Sequence, residues 1–305
     1  MNGLFTSRQF YDALPSRLAP REETIRILFI GDIIGRPGRK IVKQVLPAIR
    51  RAGGVDVTIA NVENLAGGFG ITEKTFAEMA NAGVDVMTLG NHWNDKPDAL
   101  RMRGNEPRLV FPFNLIDGQP VEFAPEFDIA GRDRTLVMLN YVGLFAMKPN
   151  YGNPFEDLER KKPHLDDKFK SGRYVIVADI HAEASSEKHA VAGFLDGTAA
   201  VVVGTHTHIP TSDERVSGRG TAFLTDLGMT GPYNSIIGMD TARTLRRYFR
   251  PIEKGPHEVA MGDSWFCALL VEVSPKTNLC VAAHRLQFRE EIDVWSVTSA
   301  RPRRG

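Results

Sequence analysis

Short β-branched runs, each closed by a polar or glycine-bearing turn and followed by a helical stretch, govern what this chain can fold into. IRILFI (25–30) ends at Gly31 and leads to residues 37–51, where Ile41, Val42, Val45, Leu46 and Ile49 fall largely on one helical face. VDVTIA (55–60) precedes a helix over residues 72–82 with Thr72 at its N-cap, and VDVMTL (84–89) begins the pattern again. Runs this short and this apolar belong to strands covered on both faces. Strand, loop and helix in repetition predict βα units, a largely parallel sheet and an α/β fold. Residues 104–172 interrupt the rhythm with proline, glycine and asparagine. They leave short strands at 109–113 and 135–141, and a polar, partly helical stretch at 151–170 suited to a lid or an oligomer surface. Strands resume with YVIVA (174–178), AAVVV (199–203) and residues 222–225, and residues 265–273 and 278–286 flank SPKT as a hairpin.

With 305 residues the chain has room for one large α/β domain or two modest ones. No linker splits it, so the expected organisation is an N-terminal extension (1–24), a single domain (25–290) and a C-terminal tail (291–305). The formal net charge of +1 gives no global field toward nucleic acid or a membrane, although a local patch could still serve RNA. Cys267 and Cys280 lie in apolar runs and read as buried thiols rather than a disulfide framework. No segment approaches the roughly 18 apolar residues of a spanning helix. Residues 1–24 lack the continuous apolar stretch of a signal peptide. A cytoplasmic protein with no membrane partner is expected.

The residue types that carry chemistry stand just beyond the strands. Asp32 follows the first strand, Glu63 and Asn64 the second (NVEN), and Asn91 and His92 the third (GNH). His181 follows YVIVADI, and His206 and His208 follow AAVVV in GTHTH. Sites in parallel α/β sheets form beyond the carboxyl ends of the strands, so these residues are aimed at one edge. A set of Asp, Glu, Asn and His without thiolate suits divalent Mn, Fe or Zn. On an extended segment His206 and His208 would project from one face.

Singly, each residue has an ordinary reading: Asp32 as a helix cap, Glu63 as a surface charge, His181 as a core histidine. Together, ligand-type residues at five strand ends argue against coincidence. The first loop, GDIIGRPGRKI, is open to two readings, a phosphate cradle of backbone amides or a metal site around Asp32. Gly38-Arg39-Lys40 lacks the Ser/Thr of a P-loop, and no dinucleotide fingerprint is present. Arg36 and Arg39 read as solvated or structural, with contact to phosphate or RNA as the alternative.

In order, GDII, NVEN, GNH, DIH and GTHTH resemble the motif series of the calcineurin-like metallophosphoesterases: GDxH, GDxxD, GNH, a lone histidine and GHxH. Two departures mark a subfamily. Ile34 replaces the histidine after Asp32, and Glu63-Asn64 replaces the bridging aspartate, as in the YmdB-like phosphodiesterases. ILFIGDIIGRPGR, ENLAGGFGIT, HAEASSEK, GTHTHIPTSDER and TDLGMTGPYNSIIGM all look like that subfamily's segments.

The resemblance implies a sandwich of two packed sheets, mostly parallel or mixed, flanked by helices, with metals at one edge. It also decides the first loop in favour of a metal site at Asp32. Two divalent ions are implied, Fe or Mn, with Zn or Mg as alternatives. Asp32, Glu63, Asn64 and His208 would hold one; Glu63, Asn91, His181 and His206 would hold the other. Glu63 would bridge, and Asn64 would fill the place left by Ile34. His92 would bind no metal and would lie near the leaving-group oxygen.

The implied reaction is attack of metal-activated hydroxide on the phosphorus of a cyclic nucleotide of the 2′,3′-cAMP type, by a homo-oligomer, dimer or tetramer. The alternatives are a phosphomonoesterase or nucleotidase on the same site, and a regulatory protein that binds RNA or a partner. Two local departures bear on substrate. Trp93-Asn94-Asp95 stands where the subfamily has Thr-Trp-Asp, so Trp93 either packs on the sheet edge or reshapes a base-stacking pocket. Leu144 follows Gly143 where the subfamily has arginine. His164, His189, His257 and His284 have no partner at ligand spacing and are assigned no role.

Overall fold

A computed structural model describes residues 3–10, 24–116, 123–148, 151–250 and 255–302. Strand β1 (Gly3–Thr6) comes first, then β2 (Ile25–Ile30), which feeds helix α1 (Gly35–Gly53). β3 (Val57–Asn61) leads to α2 (Glu73–Ala82), and β4 (Val86–Thr88) to α3 (Pro97–Met102) and β5 (Leu109–Val110). β6 (Glu126–Asp128) and β7 (Thr135–Val142) precede α4 (Pro154–Lys170), and β8 (Tyr174–His181) precedes α5 (Ser185–Phe194). β9 (Val201–Thr205), β10 (Arg215–Val216), β11 (Ala222–Leu224) and β12 (Gly231–Pro232) follow, then α6 (Thr241–Phe249). β13 (Ser264–Val273), β14 (Cys280–Arg289) and β15 (Val294–Ala300) complete the described elements.

Two mixed sheets result. One runs β1-β15-β14-β13-β2-β3-β4-β5 with β12 beside β13, and the other runs β10-β11-β9-β8-β7-β6. Within them, β2 to β5 are parallel, as are β7, β8, β9 and β11. Every residue of β2 is buried, and its period-two alternation divides the interior. Ile25, Ile27 and Phe29 share a core with Val177 and Val203 of the second sheet. Leu28 and Ile30 face the other way, onto Ile41, Val45 and Ile49 of α1. A strand with both faces covered takes apolar residues on both, and that is why ILFI (27–30) does not alternate; the buried Arg26 is the exception in β2. Thr72 caps α2 as its sequence predicts, in a reciprocal pair with Thr75, and Gly83 closes the helix at φ 105°.

The termini depart from the expected boundaries. Residues 294–300 are not a tail: β15 pairs antiparallel with β14, and residues 3–6 pair with β15 in turn. Trp295 is fully buried, stacked on Phe10 with centroids 3.9 Å apart. VWSVTSA alternates buried and half-exposed residues, the weak pattern of a strand wetted on one face. Residues 11–23, within the expected extension, lie outside the described residues. The strand at 109–113 is only two residues long, and Trp93 belongs to the core, edge-on to Phe111 at 6.0 Å. Cys267 and Cys280 are free buried thiols, and burial pushes Cys267 up to about 12.

Candidate metal centre

The five strand ends do converge. Asp32 lies past β2, Glu63 and Asn64 past β3, and Asn91 and His92 past β4, all in the first sheet; His181 ends β8, and His206 and His208 follow β9 in the second. Asp32, Glu63, Asn64 and His181 are each at most 1% exposed. Four polar groups at that depth have left water, and something must replace it.

Around His181 the donor atoms crowd together. Its Nε2 lies 3.1 Å from Glu63 Oε1, 2.9 Å from Asn91 Oδ1 and 3.1 Å from His206 Nδ1. Ligands at about 2.1 Å from one ion stand roughly 3 Å from each other, so this spacing fits a shared cation. Glu63, His181 and His206 form a group that could hold a metal ion, each offering one atom within 4.8 Å of the others. Gly90 makes the approach possible: a Cβ there would fall 2.3 Å from His181 Nε2 and 2.5 Å from Glu63 Oε2.

Outer contacts fix which nitrogen faces inward. His181 Nδ1 lies 2.9 Å from Thr205 Oγ1, which donates to Asp179 Oδ1 at 2.7 Å, so Nε2 is left to the centre. His206 Nε2 meets Glu183 Oε2 at 3.3 Å, leaving Nδ1 inward. His208 Nδ1 donates to the Ile237 carbonyl at 2.8 Å, leaving Nε2 inward.

The second group surrounds Asn64. Its Nδ2 lies 3.3 Å from both Glu63 Oε1 and His208 Nε2, standing in this structure where a cation would satisfy both acceptors. A half-turn of the amide presents Oδ1 instead. Asp32 Oδ2 accepts from the His206 amide at 3.3 Å, and the buried Asp32 Oδ1 has no hydrogen-bond partner. An orphaned, buried carboxylate oxygen beside two histidines fits a bound cation.

Electrostatics agree with that reading. Burial pushes Asp32 up to about 6 despite the pull of His208 and His181. Burial also opposes charge on Glu63, but His181 outweighs it and holds the carboxyl well below its ordinary value. Burial disfavours charge on His181, yet Glu63 and Asp32 draw it up to about 9. His206, buried beside the charged His181, falls to about 3. The acidic pair thus holds a positive charge on His181, which loses that proton when Nε2 serves a metal.

The two histidines of GTHTH do not sit on an extended segment. His206 has φ 100° and His208 φ 66°, so the loop twists and sends each imidazole to a different group. Such backbone is strained and must be held by its surroundings. Asp226 does this, accepting from the Thr207 amide at 3.1 Å and the Thr207 hydroxyl at 2.8 Å. Lys188 donates to the same carboxylate at 2.7 Å, and both charged residues are 1% exposed. Neither residue stood out in the sequence, because nothing local in SSEKH or TDLG announces an ion pair across 38 positions.

His92 stays outside both groups. Its Nδ1 is 2.7 Å from Asp95 Oδ2, its amide donates to Glu63 Oε2 at 2.8 Å, and its ring lines a cavity of about 720 Å³. Phe69, Ile209, Ile237, Tyr248 and His257 share that cavity with Glu63, Asn64, His206 and His208. Leu144 is half-exposed, its amide donating to Glu187 at 2.8 Å. Among the described residues, no helix is long and apolar enough to cross a membrane.

Known proteins are similar to this chain in sequence and in fold. A Bacillus subtilis protein named 2′,3′-cyclic-nucleotide 2′-phosphodiesterase is 35% identical over 267 residues, 88% of this chain and 98% of that protein. A crystal structure of a hypothetical protein from Thermus thermophilus superposes with a TM-score of 0.77 at 34% identity, covering 87% of this chain and 100% of the other. A Mycoplasma pneumoniae structure described as a novel phosphatase gives the same TM-score of 0.77 at 29% identity, covering 87% and 94%. A family profile described as YmdB-like protein matches residues 28–286, from β2 through most of β14. By that match and that shared fold, the chain belongs to the YmdB-like family of metallophosphoesterases.

Proposed function

We propose that this protein is a dimetal phosphodiesterase acting on 2′,3′-cyclic nucleotides. The observation that carries it is the position of Glu63. One oxygen lies within 3.3 Å of both His181 Nε2 and Asn64 Nδ2, and the other is fixed by the His92 amide at 2.8 Å. A carboxylate so placed serves both groups, Asp32-Asn64-His208 on one side and Asn91-His181-His206 on the other. The oxygen and nitrogen donor set suits Mn or Fe, with Zn or Mg as alternatives. Two divalent ions, when bound, neutralise the phosphodiester anion and supply a nucleophile at neutral pH.

The chain's own residues do the rest. Asp95 holds His92 by Nδ1, so Nε2 is available to protonate a leaving oxygen in the cavity. Thr205, Glu183 and the Ile237 carbonyl keep the ligand nitrogens aimed inward. Phe69 stands edge-on to His92 at 4.9 Å on the wall of the same cavity. The name of the Bacillus subtilis relative supports the cyclic-nucleotide substrate. The Mycoplasma pneumoniae phosphatase favours a second reading, a phosphomonoesterase on the same residues.

Turnover with Mn²⁺ on 2′,3′-cAMP, 3′,5′-cAMP and p-nitrophenyl phosphate separates the two. Preference for 2′,3′-cAMP is expected. Preference for the monoester would keep the metal centre and overturn the substrate. Absence of metal-dependent turnover on all three would overturn the enzymatic reading.

A further inference from the structure

The cavity beside the metal centre opens onto α6, and this helix is built unlike the others. None of its residues is buried. Thr244, Arg247 and Tyr248, spaced as one helical face, line the cavity together with Glu63, His92 and His208. Residues 241–250 (TARTLRRYFR) carry four arginines and no acidic residue, in a chain whose net charge is only +1. Tyr248 is 73% exposed and Phe249 80%, although aromatic side chains gain most from burial. Ile209 and Ile237, both about half-exposed, add apolar surface to the same cavity.

The contacts on α6 keep its form without covering it. The Asp240 side chain caps the first turn by accepting from the Arg243 amide at 2.9 Å. Arg243 pairs with Glu258 at 3.1 Å, and Arg247 donates to the Gly255 carbonyl at 2.9 Å. Exposed aromatic rings flanked by arginines, along a helix, are what single-stranded nucleic acid requires: faces for bases and charges for phosphates. A free nucleotide would need only the cavity, and the helix extends past it.

We propose that α6 is a docking platform for a single RNA strand whose 2′,3′-cyclic phosphate end enters the cavity. This deepens the phosphodiesterase reading and rests on it. The occupant is argued from charge complementarity and from the continuity of α6 with the candidate catalytic cavity. The terminal nucleotide sits at the metal centre, the preceding bases stack on Tyr248 and Phe249, and Arg246 and Arg247 take the backbone phosphates. The reaction remains hydrolysis: water adds to phosphorus, one ester P–O bond breaks, and the leaving oxygen takes a proton.

The test compares kcat/KM for 2′,3′-cAMP and for an oligoribonucleotide six residues long ending in a 2′,3′-cyclic phosphate, on one preparation of the full chain with Mn²⁺. The wild type is expected to favour the oligomer by about tenfold or more, the effect of stacking one further base on an aromatic ring. The oligomer's rate should also fall more steeply with salt, by about 0.7 in log–log slope for each phosphate engaged. Tyr248→Ala and the double variant Arg246→Gln/Phe249→Ala should each bring the ratio toward one. The readout is a ratio on one protein sample, so partial loss of metal or fold cancels.

Equal rates in the wild type, or a ratio unchanged in the variants, would overturn the platform and leave the cyclic-nucleotide reading standing. A change of oligomer mass in the variants with the ratio intact would show a contact between copies and overturn the proposal. Turnover of neither substrate would overturn both readings together.

Discussion

Glu63 and His181 belong to different sheets and meet at 3.1 Å, Oε1 to Nε2, with both side chains almost fully buried. The pair ties the two halves of the sandwich together at the edge where the other candidate ligands gather. Neither residue reaches water, so each depends on the other and on what binds between them.

Glu63→Gln should therefore be the most damaging substitution in the centre. The amide keeps the volume but removes the negative charge that serves both groups. Turnover should fall by more than the ~10–100-fold that outer-shell changes cost. Titration calorimetry with Mn²⁺ should show affinity lost for both ions rather than one. Retention of one tight ion would mean that Glu63 does not bridge.

Thr205→Val leaves every proposed ligand in place and breaks only the link from His181 Nδ1 to Asp179. Metal affinity and activity should each drop by ~10–100-fold. Thr205→Ser, which restores the hydroxyl, should recover most of the loss. An inert Thr205→Val would show that the ring is oriented without that hydroxyl, by packing and by Asn61 Nδ2 at 3.4 Å from Nδ1.

Lys188→Met leaves Asp226 charged and buried beneath the strained His206–His208 loop. Removing one member of a buried pair costs roughly 3–5 kcal/mol. Denaturant unfolding should report that loss, and Lys188→Met with Asp226→Asn should be less unstable than Lys188→Met alone. Equal stability of the single variant and the wild type would mean that the pair holds nothing.

His92→Gln should separate acid catalysis from metal binding. With the ring gone and the Glu63 contact kept through the backbone amide, metal affinity should hold. The value of kcat should fall by ~10²–10⁴-fold on substrates with poor leaving groups and much less on p-nitrophenyl esters. A uniform loss across leaving groups would remove His92 from that role.

The candidate site was legible in the sequence to the extent that it follows from local pattern. Asp32, Glu63, Asn91 and His181 each stand beyond an apolar strand, and parallel strands deliver their ends to one edge. Trp93 was legible only as an alternative, and its burial against Phe111 selects packing. What stayed hidden depends on contacts far apart in the chain. The Lys188–Asp226 pair is one such contact, and the β1–β15 pairing is another, in which residues 3–6 reach across to 294–297. The positive φ of His206 and His208 was also out of reach, because non-glycine residues take that conformation only when tertiary contacts impose it.

The most direct measurement is metal stoichiometry against turnover. Metal-free protein would be titrated with Mn²⁺ while bound metal per chain and hydrolysis of 2′,3′-cAMP are followed together. Two equivalents per chain, with activity rising as the second binds, is the predicted result. Full turnover at one equivalent, or turnover in the presence of a strong chelator, would contradict a dimetal centre built on Glu63.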